Sequence, residues 1–230
     1  MLTHNTGRDT TAQSLTWTFY LLMRNPSAQE GVISNLRETF GNASPQLPLS
    51  FDSVQSSSLP YVAAVFNESL RLYPPVPVEL KECTSSTTFP DGTWLPAGAV
   101  VIWATWAIGR SKNIWGQDAD DFRPSRWLID GDGGDGMPAL KSLSAFEFPV
   151  FNGGPRSCLG KRMAELLAAY VIASLVWKFD FEEAIDSNSR LQETPIDRQS
   201  QNSLTLPMRG GLPCYIRRRD HSPSAMGSTP

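Results

Sequence analysis

Cysteine and histidine are scarce in this 230-residue chain, which holds three of the first (Cys83, Cys158, Cys214) and two of the second (His4, His221). Three widely spaced cysteines, an odd number, exclude a disulfide scaffold and any CxxC-type zinc site, and they favour a reducing compartment. The two histidines stand singly near the termini with no second ligand in reach, so they read as solvated. Basic excess is lacking too. A formal net charge of −3 leaves no footprint for a nucleic-acid partner. No run approaches the roughly twenty apolar residues that span a bilayer. The opening "MLTHNTGRDTTAQ" lacks the charged-then-apolar pattern of a secretory signal, so the chain reads as soluble, with no anchor or signal.

What the chain does have is apolar mass. Hydrophobic residues make up 40%, with seven tryptophans and eleven phenylalanines, enough for a packed core in one large domain or two small ones. Residues 8–24 carry Leu15, Phe19, Leu22 and Met23 at helical spacing, and Asn25-Pro26 stops them. A second helix is expected over 27–41, ending at Gly41. A Ser/Pro-rich loop covers 42–58, and a third helix over 59–74 is closed by Pro74-Pro75. Short β-type runs surround the turn signal "PDGT" between 76 and 103. "GAVVIWATWAIG" (98–109) is the strongest strand candidate. Residues 110–150 form an irregular meander, and 158–179 is the most convincing helix. "NSLTLPMRGGLPCYIRR" (202–218) reads as a hairpin across Gly210-Gly211. The fold class expected is mainly α with small β-sheets (α+β), with residues 219–230 a disordered tail. "DGDGGDG" (130–136) lacks the downstream glutamate of a calcium loop and reads as a surface insertion. Cys83 and Cys214 sit in no motif and read as structural.

The most informative stretch is "FNGGPRSCLG", residues 151–160. A thiolate needs stabilising as an anion, and a helix start supplies partial positive charge and free N–H groups. Gly153, Gly154 and Gly160 let the backbone turn sharply and approach a flat group closely. Arg156 offers a fixed cation for a carboxylate or propionate, and Phe151 can shield the sulfur. A buried structural cysteine at a helix start is the plain alternative. Thiol-redox chemistry would require a second cysteine nearby, and the loop has none.

This run matches F-x-x-G-x-R-x-C-x-G and resembles the haem-binding loop of the cytochrome P450 (haem-thiolate monooxygenase) family. The resemblance implies that Cys158 is the axial ligand of a haem b iron, with Phe151, Gly154, Arg156 and Gly160 around it and Lys81 near a propionate. "ESLR" (68–71) puts Glu68 and Arg71 one turn apart, by spacing alone an ordinary surface pair. Within the resemblance it is similar to the family's E-x-x-R, and "FRPSRW" supplies the third member, Arg126, although Ser125 replaces the glutamate usual there. Read with no context, Asp9-Thr10 of "TGRDTT" (6–11) is a helix start with an N-cap; with the cysteine loop downstream the run resembles the family's oxygen-binding helix, with Asp9 and Thr10 as the proton-relay pair.

Motif order supports the same family, and "LPYVAAVFNESLRLYPPVP" and "IWGQDADDFRPSRWL" are most similar to its eukaryotic fatty-acid and alkane ω-hydroxylase branch. Residues 1–218 then correspond to the C-terminal half of the fold, from the oxygen-binding helix to the last hairpin. The function implied is hydroxylation of a hydrophobic, fatty-acid-like substrate with O2 and two electrons, drawn from a donor of the NADPH-cytochrome P450 reductase type. Lys161 and Arg162 would help dock that donor. Val76, Pro77, Val78, Leu204 and Thr205 would face the substrate. The full-length parent would sit on the cytoplasmic face of the endoplasmic reticulum membrane. With half of the haem pocket absent, the chain alone is expected to bind haem weakly and turn over nothing. The rival reading is a non-catalytic haem-binding or inactive remnant.

Overall fold

The computed structural model describes residues 3–41, 48–131, 138–184, 198–201 and 203–219, with side chains from Gly7 onward. His221 and the tail from 220, most of the 130–136 insertion, and the side chain of His4 lie outside those residues.

Four helices build the centre: α1 (Thr3–Arg24), α2 (Pro26–Phe40), α3 (Pro60–Leu72) and α6 (Lys161–Lys178). Pro26 and Pro60 each open a helix, where a missing N–H costs nothing. Gly41, at φ 78°, ends α2 in a backbone shape that favours glycine. Helix α3 stops at Tyr73 because a residue before proline is pushed out of the α region. Apolar side chains at helical spacing decide which faces turn inward. Ala28, Val32, Ile33 and Leu36 of α2 meet Val62, Val65, Phe66 and Leu70 of α3, and Ile172, Ala173 and Val176 of α6. A second cluster joins Trp17, Tyr20 and Leu21 of α1 to Leu72 and Met208. Helix α3 is buried from Ala64 to Leu72 along its whole circumference, so its charged residues Glu68 and Arg71 must find partners inside the protein. Among the described residues no helix is long and apolar enough to cross a membrane.

Among the described residues, four two-stranded antiparallel sheets lie around these helices. Strand β1 (Glu79–Glu82) pairs with β4 (Val100–Trp103), and β2 (Thr87–Thr88) with β3 (Trp94–Leu95). Further along, β5 (Leu128–Ile129) pairs with β6 (Ala139–Leu140), and β7 (Phe179–Glu183) with β8 (Cys214–Arg218). Two short helices, α4 (Thr105–Ile108) and α5 (Lys112–Trp115), follow β4. The mixed fold class expected from the sequence is what the structure shows.

Helix α1 begins at Thr3 rather than at residue 8, and three further boundaries differ from expectation. The strand expected over 98–109 covers only Val100–Trp103 before the chain coils into α4. Trp106 N–H donates to the Pro77 carbonyl at 3.1 Å, and the Gly109 carbonyl must reach Arg71; these tertiary bonds override the β-branched run. The last helix starts at Lys161 rather than 158, because the Cys158 N–H is spent on Phe151 in a turn. The expected hairpin across Gly210-Gly211 does not form. Strand β8 takes β7 as partner, where alternate Phe179 and Phe181 face inward and Phe181 meets Phe19. The reversal lies earlier, closed by a bridge between Ser200 and Met208.

Candidate haem-thiolate site

A fully buried carboxylate anchors the region. Glu68 and Arg71, three residues apart on α3, form a two-pronged pair at 2.7 Å (Nε–Oε2) and 2.8 Å (Nη2–Oε1), both side chains with no solvent exposure. Arg126 Nε donates to Glu68 Oε1 at 2.8 Å, as does the backbone N–H of Arg123. The indole N–H of Trp127 donates to Oε2, also at 2.8 Å. Arg71 spends its remaining donors on the carbonyls of Gly109, Ala119 and Asp121. A buried ion pair is tolerated when all its hydrogen-bonding capacity is met, and this one is met from three segments. Helix α3, the 109–121 run and the Pro124–Trp127 turn are thereby bolted together.

The structure thus brings Glu68, Arg71 and Arg126 into one cluster and adds Trp127, which sequence reasoning missed. Its signal was adjacency to Arg126 on a tight turn. Ser125 is exposed, so that side chain takes no part in the buried contacts. Asp118 flanks the cluster, 3.3 Å from Arg126 Nη2 and 3.0 Å from Arg123. Desolvation alone would raise its carboxyl, but the two guanidiniums outweigh it and hold Asp118 below the usual carboxylate range.

The cysteine loop is built from two short 3₁₀ turns, Pro149–Phe151 and Gly154–Arg156. Asn152 (φ 57°) and Gly154 (φ 61°) take left-handed backbone, which folds the run back on itself. The Cys158 N–H then reaches the Phe151 carbonyl at 2.7 Å. Gly153 is a close approach, since a Cβ there would lie 2.7 Å from that of Ala145. Asn152 donates through Nδ2 to Glu79 Oε1 at 3.1 Å, tying the loop to β1. Phe148, which precedes the first turn, packs edge-on against Trp127 at 4.8 Å. The loop is therefore held against both the Glu68 cluster and the β1–β4 sheet. Lys161 lies with its ammonium 5.5 Å from the Phe151 ring.

Cys158 is exposed and followed by Leu159, which is bare to solvent at 102% relative exposure. That placement contradicts the plain alternative of a buried structural cysteine. The donor set is equally informative. Among the described residues no three of His, Cys, Asp and Glu gather to hold a metal. A metal taken here would have one protein ligand and would need its other donors from a cofactor. That is the condition of iron in a porphyrin, and a lone thiol on a glycine-rich turn fits it. Arg156 is exposed and makes no ion pair with a described residue. Lys81 points its ammonium to within 5.7 Å of the Trp103 ring on the neighbouring strand.

The other residues singled out lie on separate segments. Asp9 and Thr10 stand in the interior of α1, which begins at Thr3, so the N-cap reading fails. Asp9 pairs with neighbouring Arg8 at 3.0 Å. Thr10 and Thr11 both aim hydroxyls at the Gly7 carbonyl, at 3.4 and 2.9 Å, and a Cβ on Gly7 would meet nothing within 4 Å. Val76, Pro77 and Val78 follow α3 and Leu204 and Thr205 lie on the 199–209 reversal. The Leu206 N–H donates to the Pro75 carbonyl at 3.0 Å, which brings the two segments together.

A thiol-bearing glycine turn docked on a buried Glu–Arg–Arg cluster defines a class, that of haem-thiolate proteins, and comparison with known proteins agrees. The sequence profile of the family described as Cytochrome P450 matches residues 3–208, and the chain belongs to that family, whose members are haem b-dependent monooxygenases. It is 36% identical over 218 residues to "Cytochrome P450 94B1" of Arabidopsis thaliana, across 95% of this chain and 40% of that protein. It is 41% identical over 181 residues to "Cytochrome P450 86B1" of the same plant, across 75% and 31%. It is 32% identical over 213 residues to the Arabidopsis "Alkane hydroxylase MAH1", across 93% and 38%. The chain thus spans well under half the length of these relatives.

Proposed function

We propose that this chain supplies the thiolate-bearing part of a monooxygenase that hydroxylates long apolar chains of the fatty-acid or alkane kind. The observation that carries the reading is the exposed Cys158, presented on a turn that the buried cluster and β1 both hold in place. Cys158 is the iron ligand in this reading, with Phe151, Gly154 and Gly160 shaping the turn. Arg156 and Lys81 are cations for the propionates. Bound haem supplies activation of dioxygen with two electrons from a reductase-type donor.

The protein's own groups do the rest. Glu68, Arg71 and Arg126 keep the turn's base fixed. The Asp9 carboxylate and Thr10 hydroxyl, nearly two turns inside α1, would hold and pass protons to bound dioxygen. Val76, Pro77, Val78, Leu204 and Thr205 offer apolar or small surface to a chain-like substrate. Lys161 and Arg162 present charge to an acidic electron donor, and the full-length protein works at the cytoplasmic face of the endoplasmic reticulum membrane. The substrate class draws support from similarity to a protein named as an alkane hydroxylase. Its test is a spectral binding titration of the full-length haem-loaded protein with fatty acids and alkanes of increasing length. A shift whose affinity rises with chain length is expected; an unchanged spectrum across the series overturns the substrate class.

A further inference from the structure

The backbone of Leu206 is a junction between segments. Its N–H donates to the Pro75 carbonyl at 3.0 Å, and its carbonyl accepts the indole N–H of Trp17 at 2.8 Å. Trp17 is 1% exposed and sits in the middle of α1. Its ring stacks flat on Tyr73, with centroids 4.0 Å apart and 4° between planes, and meets Tyr20 edge-on at 5.7 Å. Tyr73 is where α3 ends and the run Pro74–Pro75–Val76 begins. One side chain therefore touches two junctions: its ring stacks on Tyr73, where residues 74–78 leave α3, and its N–H holds the Leu206 carbonyl of the 199–209 reversal.

The two contacts differ in kind. Stacking needs only an aromatic face and tolerates sliding. A buried N–H···O=C bond is directional, and leaving either partner unmet is costly. The base of the reversal is pinned by the Ser200–Met208 bridge and by Met208 in the Trp17 cluster. Bonds from Gln201 N–H to the Pro207 carbonyl and from Arg209 N–H to the Gln199 carbonyl, both 2.8 Å, close it further; Leu204, beyond them, is 93% exposed, and the two bonds at Leu206 tie this segment outward to α1 and to Pro75.

We propose that Trp17 is a specificity-determining positioning residue. Through Leu206 it sets the gap between the 76–78 and 204–205 segments, and with it the chain length accepted and the carbon presented for hydroxylation. This rests on the reading of those two segments as substrate-facing.

The test is Trp17→Phe in the full-length haem-loaded protein, which keeps a six-membered aromatic ring for Tyr73 and removes the N–H donor together with the five-membered part of the indole. Ile172→Val, at a fully buried position in the other core cluster, serves as the comparison. Amide hydrogen exchange at Leu206 is expected to quicken roughly tenfold in Trp17→Phe as local opening becomes easier. Affinity across a fatty-acid series should lose its chain-length preference, and the ratio of terminal to in-chain product should change severalfold. Ile172→Val should leave all three as in the wild type. Wild-type length preference and product ratio in Trp17→Phe overturn the proposal, and so do equal changes in both variants, which would mark a general loss of stability. A wild type that binds no member of the series defeats the substrate reading and this proposal together. A wild type that discriminates alongside a Trp17→Phe protein that discriminates equally defeats this proposal alone.

Discussion

Glu68 accepts five hydrogen bonds from four residues, so each donor matters more than it would at a surface. Trp127→Phe keeps most of the ring packing but leaves Oε2 short of one partner. The expected loss is about 1–3 kcal/mol of unfolding free energy, read by urea denaturation; an unchanged midpoint would show that the indole N–H is dispensable. Asp118 makes a pH-dependent contribution. Its carboxyl is held below its ordinary value in the folded state, first against desolvation and then by Arg126 and Arg123. Its stabilisation is therefore present above the unfolded value and lost as pH falls through the folded one. The stability gap between wild type and Asp118→Asn should shrink on acidification below neutral pH, measured by denaturation at a series of pH values. A gap that stays constant or widens in acid would contradict this. Glu68, Arg71 and Arg126 were legible as residue types at a spacing. Trp127 was not, because an indole in a turn reads as packing and nothing local shows that its N–H reaches Glu68.

At the scale of elements, the helices were legible because apolar residues recur at a period that only a helix aligns. Pro26, Gly41, Pro60 and the Pro74-Pro75 pair marked the ends. The strand and turn errors share one cause, partners supplied from far along the chain. Residues 104–109 carry β-type composition, yet the carbonyl of Gly109 is claimed by Arg71 of α3. A Cβ added at Gly109 would lie 2.1 Å from the Arg71 carbonyl oxygen, which is backbone and cannot rotate aside. Gly109→Ala should thus force the α3–α4 contact apart, at a cost on the order of 1–3 kcal/mol or more. A thermal melt of the variant matching the wild type would refute that close approach. The final strand was misassigned for the same reason: Phe179 and Phe181 offered β8 a half-buried partner that local turn chemistry at Gly210-Gly211 could not reveal.

Across the whole molecule, a thiol at one end of α6 is linked inward in two directions. Phe148 and Trp127 connect its loop to the Glu68 cluster, and Asn152 connects it to Glu79 on β1. The motif in 151–160 disclosed the loop from sequence, since glycine, arginine and cysteine at that spacing have few other uses. It did not disclose these two anchors, which exist only once residues from separate segments, in one case 73 positions apart, have met. It did not disclose the Trp17–Leu206–Pro75 junction either, a set of bonds made mostly by backbone groups that every residue carries.

Haem-thiolate chemistry in this protein depends most on Cys158 being the group that holds the iron. The direct measurement is the carbon-monoxide difference spectrum of the reduced, full-length protein and its Cys158→Ser variant, with haem content determined separately. The account predicts the long-wavelength band of thiolate-ligated haem in the wild type and none in the variant, whatever haem the variant retains. The same band persisting in Cys158→Ser would contradict it.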